Sequence, residues 1–100
     1  MPSSKFEWDD AKLIRNVHIH RIDFRDVPQI FEGPHLIQRS TYEAEERFIA
    51  IGFLEDREIT VVFTVRDGKR RLISARPASR YERKTFQEAL NRQGQGGQSN

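Results

Sequence analysis

From Asp9 to about His20, apolar residues recur at helical spacing, at Ala11, Ile14 and Val17 or His18, and Asp9 or Asp10 stands where a side-chain oxygen caps the first amides. This predicts a first helix, with Phe6 and Trp8 packing back on it. Phe24, Val27, Ile30 and Phe31 then fall at i, i+3, i+6 and i+7, which predicts a second, short helix. Pro28 confines it to a few turns and belongs near its start, and Gly33-Pro34 stops it.

After Leu36 the period changes to two. Leu36 to Arg39 reads as a short strand, Thr41 to Glu46 as a polar turn, and Arg47 to Phe53 as a strand with Ile49, Ile51 and Phe53 on one face. Glu58 to Arg66 alternates most clearly, with Ile59, Val61, Phe63 and Val65 inside and Thr60, Val62, Thr64 and Arg66 opposite. Asp67-Gly68 suits a type I′ hairpin turn, because both central residues need positive φ. The returning strand, Lys69 to Arg76, puts Leu72, Ser74 and Arg76 on one side and Arg71, Ile73 and Ala75 on the other, until Pro77 ends it. Ser79 and Glu82 form a capping box for a last helix running to Leu90. The expected fold is therefore α+β: two N-terminal helices, a small antiparallel sheet of three to four strands and a C-terminal helix, as one domain over residues 1–90. The Gly/Gln-rich stretch 91–100 reads as a disordered tail.

Composition narrows the function classes. The chain of 100 residues has no cysteine, so disulfides, thiolate zinc sites and cysteine nucleophiles are excluded, and a reducing compartment fits. No apolar run approaches the length of a membrane span, and the start MPSSKFEWDD lacks the basic and apolar segments of a secretory signal, so a cytoplasmic protein is expected. The net charge of +2 hides an asymmetry: the segment Lys69 to Lys84 holds Lys69, Arg70, Arg71, Arg76, Arg80, Arg83 and Lys84 against the single acid Glu82. Such a segment attracts polyanions, although charge alone leaves this reading level with an ordinary solvated basic face.

Several residues are candidates for chemistry. Arg66 and Arg76 mark two ends of one hairpin, and Thr64, Ser74 and Arg76 lie toward the basic first turn of the last helix, with Arg80 and Arg83, as a phosphate clamp. The ordinary alternative, preferred on the residues alone, pairs Arg66 and Arg76 with acids such as Glu46, Glu58 or Glu82. His18 and His20 point about 200° apart on a helix, and His35 is isolated, so no metal site is expected. His20 is either a cation at a helix C-terminus or a proton acceptor near neutral pH. Lys12 either covers Trp8 with its stem or points at a phosphate. Serine-hydrolase elbows and phosphate-cradling glycine motifs are absent.

FEWDDAK at the start, Asn16 and His20, Ile22-Asp23-Phe24, Phe31-Glu32-Gly33-Pro34, the block Glu45 to Gly52, Val62 to Arg66 and RLISARPASRYER together resemble BrnT-type toxins, in order and spacing, from about Phe6 to Phe86. The resemblance implies a fold like that of the RelE-type ribonucleases, an endoribonuclease that halts translation and growth, and no cofactor. It also implies a BrnA-type, DNA-binding antitoxin partner, in a heterotetramer with two antitoxin chains that represses its own operon. A metal-free ribonuclease needs a base for the ribose 2′-OH, cations for the phosphate and an acid for the leaving oxygen. On this chain the expected roles are Arg66 and Arg76 as phosphate stabilisers, Lys12 or His20 for proton transfer, and Arg80, Arg83 and Trp8 as RNA contacts, with a 2′,3′-cyclic phosphate as product.

Two positions depart from the family pattern. Arg21 stands where a glycine is usual, which implies a different helix end, and Phe86 stands where a tyrosine is usual, which removes a hydroxyl. They support a competing reading, a degenerate, non-catalytic toxin that still binds its antitoxin, while the basic segment Lys69 to Lys84 supports a second, a plain nucleic-acid-binding module that uses it for phosphate contacts only.

Overall fold

The computed structural model describes residues 5–40 and 45–98. A two-residue strand β1 (Phe6–Glu7) leads into helix α1 (Asp10–His20), a 3-10 turn (Phe24–Asp26) and the five-residue helix α2 (Pro28–Glu32). Strands β2 (His35–Ser40), β3 (Arg47–Leu54), β4 (Arg57–Arg66) and β5 (Lys69–Pro77) follow, and helix α3 spans Arg80–Gln98.

The antiparallel sheet of three to four strands behind two N-terminal helices is corrected by this topology. The sheet has five strands in the order β1-β5-β4-β3-β2, and it is mixed, because β1 pairs parallel to β5 through Phe6–Arg70 and Glu7–Arg71. Two residues are too few to show a period of two, so β1 left no pattern to read. The spacing taken for one second helix belongs instead to a 3-10 turn followed by α2, with Pro28, which has no N–H to donate, starting the second piece. The last helix continues past Leu90 to Gln98, since elongation adds one hydrogen bond per residue and no proline intervenes. The expected turn at Thr41 to Glu46 falls largely, over residues 41–44, outside the described residues.

The core lies on one face of the sheet. Ile22, Phe24, Val27 and Ile30 cover Ala50, Ile59, Val61, Phe63, Leu72 and Ala75. The approach is close at Gly52, where an added Cβ would meet Ile30 Cγ2 at 2.5 Å. The opposite face is covered at one end by α3, whose Phe86, 1% exposed, packs on Phe53 with ring centroids 5.2 Å apart. Thr60, expected outward, is therefore fully buried, while Val65, expected inward, is 53% exposed beyond the end of the core.

The β4–β5 hairpin closes as predicted, with positive φ at both Asp67 and Gly68. Its alternation does not hold throughout. A bulge between Val62 and Phe63 pairs them with Ser74 and Leu72, leaving Ile73 extra, so Leu72 and Ala75 share the core side while Ser74 and Arg76 share the other.

Candidate active site along the last strand

Asp9 caps α1 by accepting from the amides of Ala11 at 2.8 Å and Lys12 at 3.4 Å. Spacing of four residues then aligns Lys12, Asn16 and His20 on one stripe of the helix. Asn16, buried at its centre, docks the helix. Its Nδ2 donates to the carbonyl of Ala75 at 2.8 Å and to that of Ile22 at 2.9 Å, and its Oδ1 accepts from the Ala75 amide at 3.1 Å. This amide substitutes for a neighbouring strand where β1, paired only with Arg70 and Arg71, leaves the edge of β5 open. The apolar face assigned from spacing is corrected: Ile14 is 67% exposed, and Leu13, Asn16 and Val17 face inward.

Lys12 and His20 flank that docking point and line one groove of about 290 Å³ with Arg15, Ile19, Ile73 and Ser74. Arg76 follows Ser74 by two residues, on the same face of β5. Its guanidinium donates to Glu82 Oε1 at 2.7 Å and Oε2 at 2.9 Å, so the ordinary pairing preferred from sequence is realised here. Glu82 Oε1 also accepts from Thr60 Oγ1 at 2.9 Å and from the Ser79 amide at 2.8 Å, while Ser79 Oγ accepts from the Glu82 amide at 3.1 Å, completing the predicted capping box. The hydrogen bonds from Arg76, then those from Ser79 and Thr60, hold the Glu82 carboxyl down to about 2 against the opposing effect of burial. Glu82 is thus a poor proton acceptor and a firm support for Arg76. A guanidinium has five N–H donors, so three remain to Arg76 for an anion.

Arg80 and Arg83 stand exposed on the first turns of α3, with no ion pair to either among the described residues. Lys12 and His20, about two turns apart on α1, line one groove, and Arg76, Arg80 and Arg83 lie around the start of α3. The structure separates Arg66 and Trp8 from them. Arg66 pairs with Lys69 in the hairpin, so Arg76 is seven residues further along β5, about 23 Å away at ~3.3 Å per residue. The side chain of Arg66 is 55% exposed and reaches Glu45 at only 3.9 Å. Trp8 is half-buried and packs edge-on against Phe24, with centroids 6.3 Å apart.

Arg15 was missed by sequence reasoning, and only its place one turn after Lys12 on a basic helix face hinted at it. Asn16 was noted, but its bond to a strand 59 residues away was invisible locally. The two departures also resolve. Arg21 adopts the left-handed conformation, φ 60° and ψ 33°, with its amide bonded to the Val17 carbonyl, so the helix ends as a glycine would end it. Phe86 lies in packed apolar surroundings, so the missing hydroxyl removes nothing from the groove. Among the described residues, no group of three or more His, Cys, Asp or Glu is placed to hold a metal ion, and no helix is long and apolar enough to cross a membrane.

This is a small mixed-sheet domain whose last strand carries a buttressed arginine two residues from a groove lined by lysine and histidine, an arrangement chemically suited to an anion. The model of BrnT, the ribonuclease toxin of type II toxin-antitoxin systems, matches residues 8–82, and the chain belongs to that family. It is thereby a ribonuclease toxin whose system supplies an antitoxin partner. The matched span ends on Glu82 and includes the whole groove. No curated protein matches the chain.

Proposed function

We propose that this toxin is a metal-independent endoribonuclease of the cytoplasm that cleaves RNA through a 2′,3′-cyclic phosphate and so arrests translation and growth. A BrnA-type, DNA-binding antitoxin neutralises it in a heterotetramer with two antitoxin chains that represses the operon. The reading rests on one observation: Lys12 and His20 line a single groove with Ser74, two residues along the strand face from an arginine held in place by Glu82.

In this mechanism His20 or Lys12 takes the proton from the ribose 2′-OH, and the freed oxygen attacks the adjacent phosphorus. The other group returns a proton to the departing 5′-oxygen. Arg76 stabilises the charge that grows on the phosphoryl oxygens, and because Glu82 fixes its orientation beforehand, little reorganisation is needed at the moment of reaction. Arg80 and Arg83 hold flanking phosphates, each free to turn toward the strand. Arg66 is too far along the hairpin to touch the same phosphate and serves a more distant part of a longer RNA. Trp8 supports the core through Phe24, and the mechanism gives it no RNA contact.

Induced expression in a bacterium, beside an Arg76→Ala version, tests the reading through growth and the integrity of total RNA. Growth arrest with RNA breakdown by the parent chain alone is expected, with cyclic phosphate at the new 3′ ends. Recovery of 5′-phosphate products overturns the mechanism, and unimpaired growth with soluble protein overturns the enzyme.

A further inference from the structure

A second cavity, of about 550 Å³, is bordered by Lys5, Phe6, Gln29, Phe31, Glu32 and Arg70 among others. Its volume falls within the ~300–1,000 Å³ typical of ligand sites. An adjoining hollow of about 350 Å³ shares Lys5 and Arg70 with it. Neither shares a residue with the groove of Lys12 and His20.

Arg70 is the distinctive member. Its guanidinium carbon sits 4.5 Å from the centroid of Phe31, 5.6 Å from that of Phe6 and 5.9 Å from that of Phe63. No carboxylate pairs with it or with Lys5 among the described residues, whereas Arg25, also at the rim, is already bound to Asp23 at 2.6 Å. A guanidinium plane backed by an aromatic ring is a rigid platform on which a flat, electron-rich base stacks. Resting on the reading of RNA as the substrate, we propose that this cavity binds an unpaired nucleotide of that RNA, its base stacked on Arg70 and its phosphate beside Lys5.

Glu32 decides between occupants. A carboxylate repels bare phosphate and acidic peptide alike, yet it accepts hydrogen bonds from the amino groups on base edges, as does the carbonyl of the neighbouring Gln29. Stacking supplies affinity with little sequence preference, so the cavity extends the grip on a longer strand without entering the chemistry.

The test measures binding by fluorescence anisotropy of a single-stranded RNA dodecamer whose 2′-O-methyl riboses block cleavage. Arg70→Met keeps the apolar stem over Phe31 and removes the charged plane, while Lys5→Met, at an exposed position, covers the case in which the first variant fails to fold. Arg70→Met is expected to weaken dodecamer binding by about tenfold, and Lys5→Met to flatten its salt dependence. Cleavage of a short oligonucleotide spanning only the scissile bond is expected to match the parent in both. Unchanged dodecamer affinity in folded variants overturns the inference, as does retained RNA binding with loss of antitoxin binding, which gives the cavity to a protein. A parent that cleaves no RNA overturns the ribonuclease mechanism instead, and anisotropy still decides the cavity.

Discussion

The two ends of the β4–β5 hairpin carry the same residue type in opposite circumstances. At the far end, Arg76 grips Glu82 with two hydrogen bonds, and that carboxylate, 16% exposed as a side chain, is held in turn by Thr60 and Ser79. At the turn end, Arg66 stands largely in solvent with one contact of 3.9 Å to Glu45. An arginine whose partner is itself anchored has lost its rotamer freedom before any ligand arrives, so less is lost on binding. A solvated one must be ordered by the ligand, and its surface ion pair is worth at most about 1 kcal/mol. The difference lies in the neighbours: α1 and α3 both close on the end that holds Arg76.

That asymmetry is most directly broken by detaching α1. Asn16→Leu leaves three backbone groups of Ile22 and Ala75 without partners, and is expected to lower stability by about 4 kcal/mol, read as a fall in the urea midpoint at unchanged slope. A smaller effect separates the two arginines themselves. Arg76→Ala should reduce the cleavage rate by roughly 10²–10³-fold, the usual loss for one preorganised donor, and Arg66→Ala by much less. Equal losses would mean that the turn end is as much a part of the site as the far end.

Glu82→Gln probes the support, and is expected to cost about 2 kcal/mol at neutral pH, because the charge-assisted bonds to Arg76 become neutral. Folding lowers this carboxyl from its ordinary 4.5 to about 2, so its contribution is complete above pH 4.5 and is lost as pH falls toward 2. Acid titration of stability should therefore be shallower in Glu82→Gln than in the parent over that window. The smallest effect is expected where a substitution relieves a backbone conformation and removes no contact. Arg21→Gly relieves a left-handed residue at the end of α1 and should raise stability by about 1 kcal/mol, seen as a higher melting temperature.

Local chemistry alone was enough for several elements. Asp9 before α1, Asp67-Gly68 between β4 and β5, and the Ser79–Glu82 box at α3 are each decided within four residues, by capping or by turn geometry, and each stands in the structure as read. The family, too, was legible, because its residues are spread in order along the chain. Whatever depends on a partner distant in sequence was not. Phe6–Glu7 is a strand only because Arg70 and Arg71 lie beside it, and the alternation along β5 shifts at a bulge that no local pattern announces. Thr60 is buried because α3 returns over it, and Ile14 is exposed because Asn16 turns its helix toward β5. Side-chain periodicity tells which residues share a face, but the element that covers that face is set by packing between segments far apart in sequence, and the neighbours of each basic residue follow from that packing.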